Sequence, residues 1–229
     1  MGTDTGRCTP APRRAALPRR IAVVSLSAGA TCADEGANET AAARACRLIL
    51  DDLARACRVY SAHDTAPDQP APVVERIELS AAACAEDDRL RGADTWVVGM
   101  GADEADRDGA RRERLEACLR AAGSTQARVY AVITCAGDGP QAAMRTLDAL
   151  AARAQAAGTR PCGGLAVPRA HKVVAAFPTA RMGHRRRRLS EATDRLILAV
   201  RCGQDTGTHA VEPSALGNLV HRIGRIARC

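Results

Sequence analysis

Six consecutive residues, Thr134-Cys135-Ala136-Gly137-Asp138-Gly139, bring a hydroxyl, a thiol, a carboxylate and two glycines together directly after an apolar run. The run, Val129 to Ile133, is rich in the β-branched and aromatic residues that suit a buried strand. Pro140 stands where a first helical residue belongs, its fixed φ suited to that place. Met144, Leu147, Ala151 and Ala154 then recur at three- and four-residue spacing and draw one apolar stripe along a helix, which Gly158 closes. The pattern is strand, glycine loop, helix. Glycine lets a ligand approach the backbone, and a helix start offers free N–H groups and positive potential.

Other reactive groups are less well placed. Asp103, Glu104 and Asp106 lie close in sequence, but their spacing matches no hydrolase or metal pattern and fits a solvated acidic loop. His171 and His184 stand alone in basic surroundings. The ten cysteines form no CxxC and no zinc or iron–sulfur spacing. Several fall on apolar helix faces, as Cys118 does beside Leu115 and Leu119, and read as small core residues in a reducing compartment. Cys135 could touch a ligand, or could serve only as a small residue that allows the turn. No metal site and no catalytic acid or base is expected.

The net charge of +7 is concentrated in Arg13, Arg14, Arg19 and Arg20 and in the run Arg185-Arg186-Arg187-Arg188. Such clusters could meet phosphates or an acidic partner, or form a solvated tail and loop. Nucleic-acid binding is disfavoured, because only 2% of residues are aromatic and none lies near these arginines to stack a base. The N-terminus carries arginines and prolines without an apolar h-region, so no signal peptide is expected. No apolar run is long enough for a membrane span, and the expected location is cytoplasmic.

The elements that must position these groups follow in order. Residues 1–19, rich in Pro, Arg and Thr, are expected to be disordered. Ile21 to Leu26 is a nearly continuous apolar run, as in a strand buried on both faces. A small polar loop, Ser27 to Glu39, precedes a helix at about 40–58 with Ala45, Leu48, Ile49 and Leu53 on one face. Val73 to Leu79 alternates with polar residues and suits a strand near the sheet edge. A short helix at about 82–91, a strand at Thr95 to Met100, the acidic loop and a helix carrying Leu115 and Leu119 follow. After the strand–loop–helix unit come a weaker fifth strand at 162–167 and an irregular basic stretch at 168–188. A last helix is predicted at 190–202, with Ser190 as N-cap.

Five strands alternating with helices predict an α/β fold, a doubly wound parallel sheet between two helical layers. The expected strand order is 2-1-3-4-5. The domain would span 20–203, and 204–229 would be a tail with a short helix from Pro213. Ligands of such folds bind beyond the carboxyl ends of the strands, where strand order reverses. The loops after strands one, three and four would converge there. A G-x-G-x-x-G fingerprint and a G-x-x-x-x-G-K-[ST] loop are both absent, which disfavours a dinucleotide-binding Rossmann domain and a P-loop NTPase.

Over roughly residues 20–203 the chain resembles the flavodoxin family. The residues that carry the resemblance are Ser25-Leu26-Ser27 followed by Gly36-Ala37-Asn38-Glu39-Thr40, then Ala93-Asp94-Thr95-Trp96-Val97-Val98-Gly99, then Ile133-Thr134-Cys135-Ala136-Gly137. GANET is similar to a stretched, degenerate form of the family's S-x-T-G-N-T phosphate loop. Val167-Pro168-Arg169-Ala170-His171 is similar to an M-P-x-N-Y segment of bacterial flavodoxin-like proteins that also carry a ferredoxin module, whose cysteines this chain lacks. The resemblance implies FMN as cofactor. It implies Ser27, Asn38 and Thr40 as phosphate ligands, and Gly99, Thr134, Cys135, Ala136 and Gly137 around the flavin ring. It further implies electron transfer with a redox partner protein, or an oxidoreductase activity fed by NAD(P)H. The loop after strand three lacks the family's S-P-x-[YW], and neither ring loop holds Trp or Tyr, while Trp96 and Tyr130 fall inside strands as core residues. The alternative is a flavodoxin fold that has lost its cofactor and binds a protein partner.

Overall fold

The structure, a computed structural model, describes residues 17–26, 39–64, 70–79, 90, 92–102, 113, 115–120 and 126–211. Six parallel strands form one sheet in the order β2-β1-β3-β4-β5-β6: β1 (Arg20–Ser25), β2 (Val73–Glu78), β3 (Thr95–Gly101), β4 (Arg128–Thr134), β5 (Arg160–Val167) and β6 (Gly207–Ala210). The described helices with full bounds are α1 (Ala41–Asp64), α2 (Gln141–Ala156), α3 (Ala170–Ala176) and α4 (Arg187–Cys202), with a further helical stretch at 115–120. The predicted helix at 82–91, apart from Leu90, and the predicted helix from Pro213 lie outside the described residues.

The core divides into two apolar layers because successive side chains of a strand point to opposite faces. Val23, Val97, Tyr130, Val132 and Leu165 face α1, α3 and α4. Val24, Trp96, Val98, Ala131 and Ile133 face the 115–120 stretch and α2. The central strands β1, β3 and β4 are buried on both faces, which explains their unbroken apolar runs. β2, at the sheet edge, keeps the polar alternation its sequence predicts. Trp96 and Tyr130 are fully buried; the Tyr130 hydroxyl shares its proton between the carbonyls of Gln204 at 2.8 Å and Ala199 at 3.1 Å.

Several boundaries differ from expectation. The sheet has six strands rather than five, and the sixth lies in the stretch assigned to the tail. β6 is short, exposed and without an apolar alternation, so only its backbone pairing defines it. It pairs where Gly163 and Gly207, both at positive φ, meet; a Cβ on Gly163 would lie 2.1 Å from the Gly207 carbonyl oxygen. The step from β5 to β6 runs in the same direction across the sheet as that from β4 to β5. Its helices, however, cover the opposite face from α2. The last crossover therefore has the opposite hand to the one through α2, an arrangement that topology rules count as rare.

The basic stretch at 168–188 contains α3, and α4 starts at Arg187 with Arg186 at its N-cap position. Ser190 is thus inside the helix and buried, its hydroxyl donating to the Arg181 carbonyl at 2.7 Å. α1 runs to Asp64, past the expected end near residue 58. On α2 the buried stripe is Ala143, Leu147, Leu150 and Ala154: Leu147 and Ala154 are as expected, while Ala143 and Leu150 take the places of Met144 and Ala151. Gly158 takes the expected left-handed conformation, with φ of 81°, just past the helix end.

Candidate functional site

β1 leads to β2 on one side of the sheet, while β3 lies on the other, so the chain changes direction between the carboxyl ends of β1 and β3. That is where ligands of open α/β sheets bind. The strand ends there are in register: Ser25 pairs with Gly99, and Gly101 with Thr134. The Leu26 N–H donates to the Gly99 carbonyl at 2.9 Å, extending the ladder onto the rim. α1 starts on the same rim. Thr40 caps it, accepting from the Ala43 N–H at 3.1 Å, and is itself exposed. A small cleft between these parts is lined by Ser25, Leu26, Glu39, Ala43, Cys46, Arg47, Gly99 and Met100.

Two guanidinium groups flank the cleft. Arg47 forms a fork with Glu39, 3.0 Å to each carboxylate oxygen, and that hydrogen-bonded pairing raises its pKa. Arg76, on β2, donates to Asp51 at 2.8 Å and to the Ser25 hydroxyl at 3.0 Å. Its Nη2 is buried and makes no hydrogen bond, since Glu78 at 3.9 Å is out of range. Ser25 and Arg76 were not among the predicted site residues. Arg76 is recognisable in the sequence only as one of three polar residues, with Glu75 and Glu78, in an alternating strand.

The residues nominated from sequence divide into three groups. Ser27 and Asn38 lie outside the described residues. Gly99, Thr134 and Cys135 are at the rim but turned inward. Gly99 lies against α1, where a Cβ would come within 2.5 Å of a Leu50 methyl carbon and 2.7 Å of the Cys46 sulfur. The Thr134 hydroxyl donates to the Ala42 carbonyl in the first turn of α1. The Cys135 thiol is buried and faces the Gly139 carbonyl at 3.5 Å. Thr40, Ala136 and Gly137 are exposed on the rim, and a Cβ on Gly137 would meet no atom closer than 4.0 Å.

The exposed loop is held from beneath by the last residue of β5 and the residues after it. The Cys135 N–H donates to Val167 O at 3.0 Å, and the Ala170 N–H to Cys135 O at 3.0 Å. Arg169, in the left-handed conformation with φ of 56°, donates its N–H to Gly137 O at 2.9 Å and its Nε to Asp138 Oδ1 at 3.0 Å. Arg169 was not a predicted site residue. Its only sequence signal is its place after Val167-Pro168.

The arginine run is not uniform. Arg185, Arg187 and Arg188 are exposed, but Arg186 is buried. Contrary to the expectation that no aromatic lies near this run, its guanidinium stacks 3.8 Å from the Phe177 ring centre, and it donates to Asp52 of α1 at 2.7 Å. Arg181 also approaches Asp52, at 3.4 Å, and pairs with Asp194. Arg187 pairs with Glu191 one turn further along α4. His171 and His184 are exposed. The acidic loop residues Asp103, Glu104 and Asp106 lie outside the described residues.

Among the described residues, Cys46, Cys57, Cys118, Cys135 and Cys162 are buried thiols and Cys202 is half-buried. Burial pushes the Cys57 thiol up to about 12 and the Cys162 thiol up to about 11, so neither is a thiolate nucleophile at neutral pH. No group of three or more His, Cys, Asp or Glu side chains among the described residues could hold a metal ion. No described helix is long and apolar enough to cross a membrane. No protein-family model matches the chain, and no curated protein sequence matches it.

Proposed function

We propose that this chain is an FMN-binding redox protein of the flavodoxin type, exchanging electrons with a partner protein or taking them from NAD(P)H. The observation that carries the reading is one rim that joins a direction change between β1 and β3, an exposed, Thr-capped helix start, and an exposed small-residue loop after β4. The residues present fit the group at two places. Thr40 and the N–H groups opening α1, with Ser27 and Asn38 from the preceding loop, would hold the phosphate. The backbone of Ala136 and Gly137 would meet the ring, because no side chain fills the space above Gly137. Gly99, Thr134 and Cys135 would act beneath that surface by fixing the strand ends. When bound, the isoalloxazine supplies the electron chemistry, and the protein contributes orientation and local charge.

The test is a visible spectrum of the purified full-length chain with and without FMN, paired with thermal unfolding. Flavin absorbance bound to the protein is expected, with a rise in Tm of about 5 °C or more at FMN a hundredfold above Kd. Colourless protein whose Tm ignores FMN overturns the reading.

A second reading is a cofactor-free flavodoxin fold that binds a protein partner. Its specific support is that all four aromatic residues lie elsewhere: Trp96 and Tyr130 are in the core, Phe177 is under Arg186 and Tyr60 is on the last turns of α1. Ring stacking therefore has no provider on this rim. Salt-sensitive capture of a partner by protein that takes up no flavin distinguishes the two.

A further inference from the structure

Arg169 combines features that seldom meet in one residue. Its side chain is 11% exposed, its backbone is left-handed without being glycine, and its partner Asp138 is an exposed loop residue whose side chain is 61% exposed. Gln126 is the other non-glycine residue with positive φ among the described residues. Such conformations are strained for a side chain with a Cβ and persist only where the surroundings impose them. Here they turn two consecutive N–H groups, of Arg169 and Ala170, onto the carbonyls of Gly137 and Cys135. The loop they grip, Ala136 to Gly139, has two glycines and would otherwise sample many conformers.

We propose that Arg169 is a positioning residue for the flavin site: it latches the β4 loop, through the Gly137 carbonyl and the Asp138 carboxylate, in the form whose exposed edge at Ala136 and Gly137 receives the ring. The inference rests on the FMN reading above. The latch has two consequences. It orders the loop before the ligand arrives, so binding does not have to supply that order. It also sets a cation beside the Asp138 carboxylate, which offsets negative charge on the loop that a phosphorylated, anionic ligand approaches.

The experiment uses the full-length chain and the variants Asp138→Asn, Arg169→Gly and Arg169→Lys. Glycine accepts a φ of 56° and keeps the two main-chain bonds, so Arg169→Gly removes the guanidinium without forcing the backbone. Two quantities are read: amide hydrogen exchange at 135–139 and 169–170 in the free protein, and FMN affinity from flavin fluorescence. The expected result is faster exchange at these amides in Asp138→Asn and Arg169→Gly and FMN binding weakened about fivefold, with Arg169→Lys recovering part of both. Exchange unchanged in both variants overturns the latch. Wild type that binds FMN, beside variants that bind it within about twofold as well, also overturns the proposal. Wild type that takes up no FMN overturns the cofactor reading together with the ligand half of the inference, and the exchange rates alone then judge the latch.

Discussion

The Thr134 hydroxyl donates to the Ala42 carbonyl at 2.7 Å, tying the end of β4 to the first turn of α1 across 92 residues of chain. Both groups are buried, so the bond is shielded from water. Thr134→Val keeps the shape and removes the donor, and is expected to lower stability by about 1 kcal/mol in urea unfolding. Because the hydroxyl points into the protein, the same variant is expected to keep FMN affinity within about twofold of wild type. A tenfold loss would mean that the hydroxyl turns toward the ligand.

Gly99 and Gly137 look alike in sequence and differ in what surrounds them. Alanine at 99 would press on Leu50 and Cys46 of α1. Both are buried, so these side chains or α1 itself must give way, and Gly99→Ala is expected to cost about 1–3 kcal/mol with a lower Tm. Alanine at 137 points into open space and is expected to change stability by less than about 0.5 kcal/mol. Its effect is expected on FMN affinity, since the added methyl stands where the ring would lie. Thermal unfolding and FMN titration of the two variants check the contrast.

The parts legible in the sequence were those written in side-chain periodicity. The buried strands β1, β3 and β4 carry unbroken apolar runs, and β2 carries an edge alternation, so their presence and burial followed, whereas their order was expected from the flavodoxin-type arrangement. β6 was not legible because Gly207-Thr208-His209-Ala210 has no apolar face, and its place requires a crossover of the less common hand. Within the candidate site, glycine and threonine marked the strand ends but not the direction of each group. Whether Thr134 faces a ligand or Ala42 depends on where α1 packs, which no local pattern encodes. Arg169 and Arg186 were hidden for a related reason. An arginine beside prolines or other arginines reads as solvated, and only tertiary contact buries it.

Arg186 is expected to stand apart from its neighbours in the arginine run. Its stacking on Phe177 and its bond to Asp52 hold the start of α4 against α1. Arg186→Ala leaves the half-buried Asp52 with Arg181, at 3.4 Å, as its remaining ion-pair partner among the described residues and is expected to cost about 2–3 kcal/mol. Arg185→Ala, at an exposed position, is expected to change stability by less than about 0.5 kcal/mol. Urea unfolding of the two variants side by side is the measurement, and equal losses would show that Arg186 is no anchor.

Stability is expected to fall on the alkaline side, for a reason set by the buried thiols. Burial raises Cys57 to about 12 and Cys162 to about 11, and raises Tyr130 as well, while an unfolded thiol titrates at about 8.5. Above the unfolded value the denatured chain has lost these protons and the native chain still holds them. The stability they contribute is therefore complete below about pH 8.5 and is lost as pH rises toward 11 and 12. Each thiol adds a slope of at most about 1.4 kcal/mol per pH unit, or up to about 2 kcal/mol between pH 8.5 and 10. Urea unfolding under reducing conditions from pH 7 to 10 reads this slope. Cys57→Ala lowers stability at neutral pH through lost packing but is expected to flatten the alkaline fall, because the raised thiol is gone. A slope identical to that of wild type would place the titrating group elsewhere.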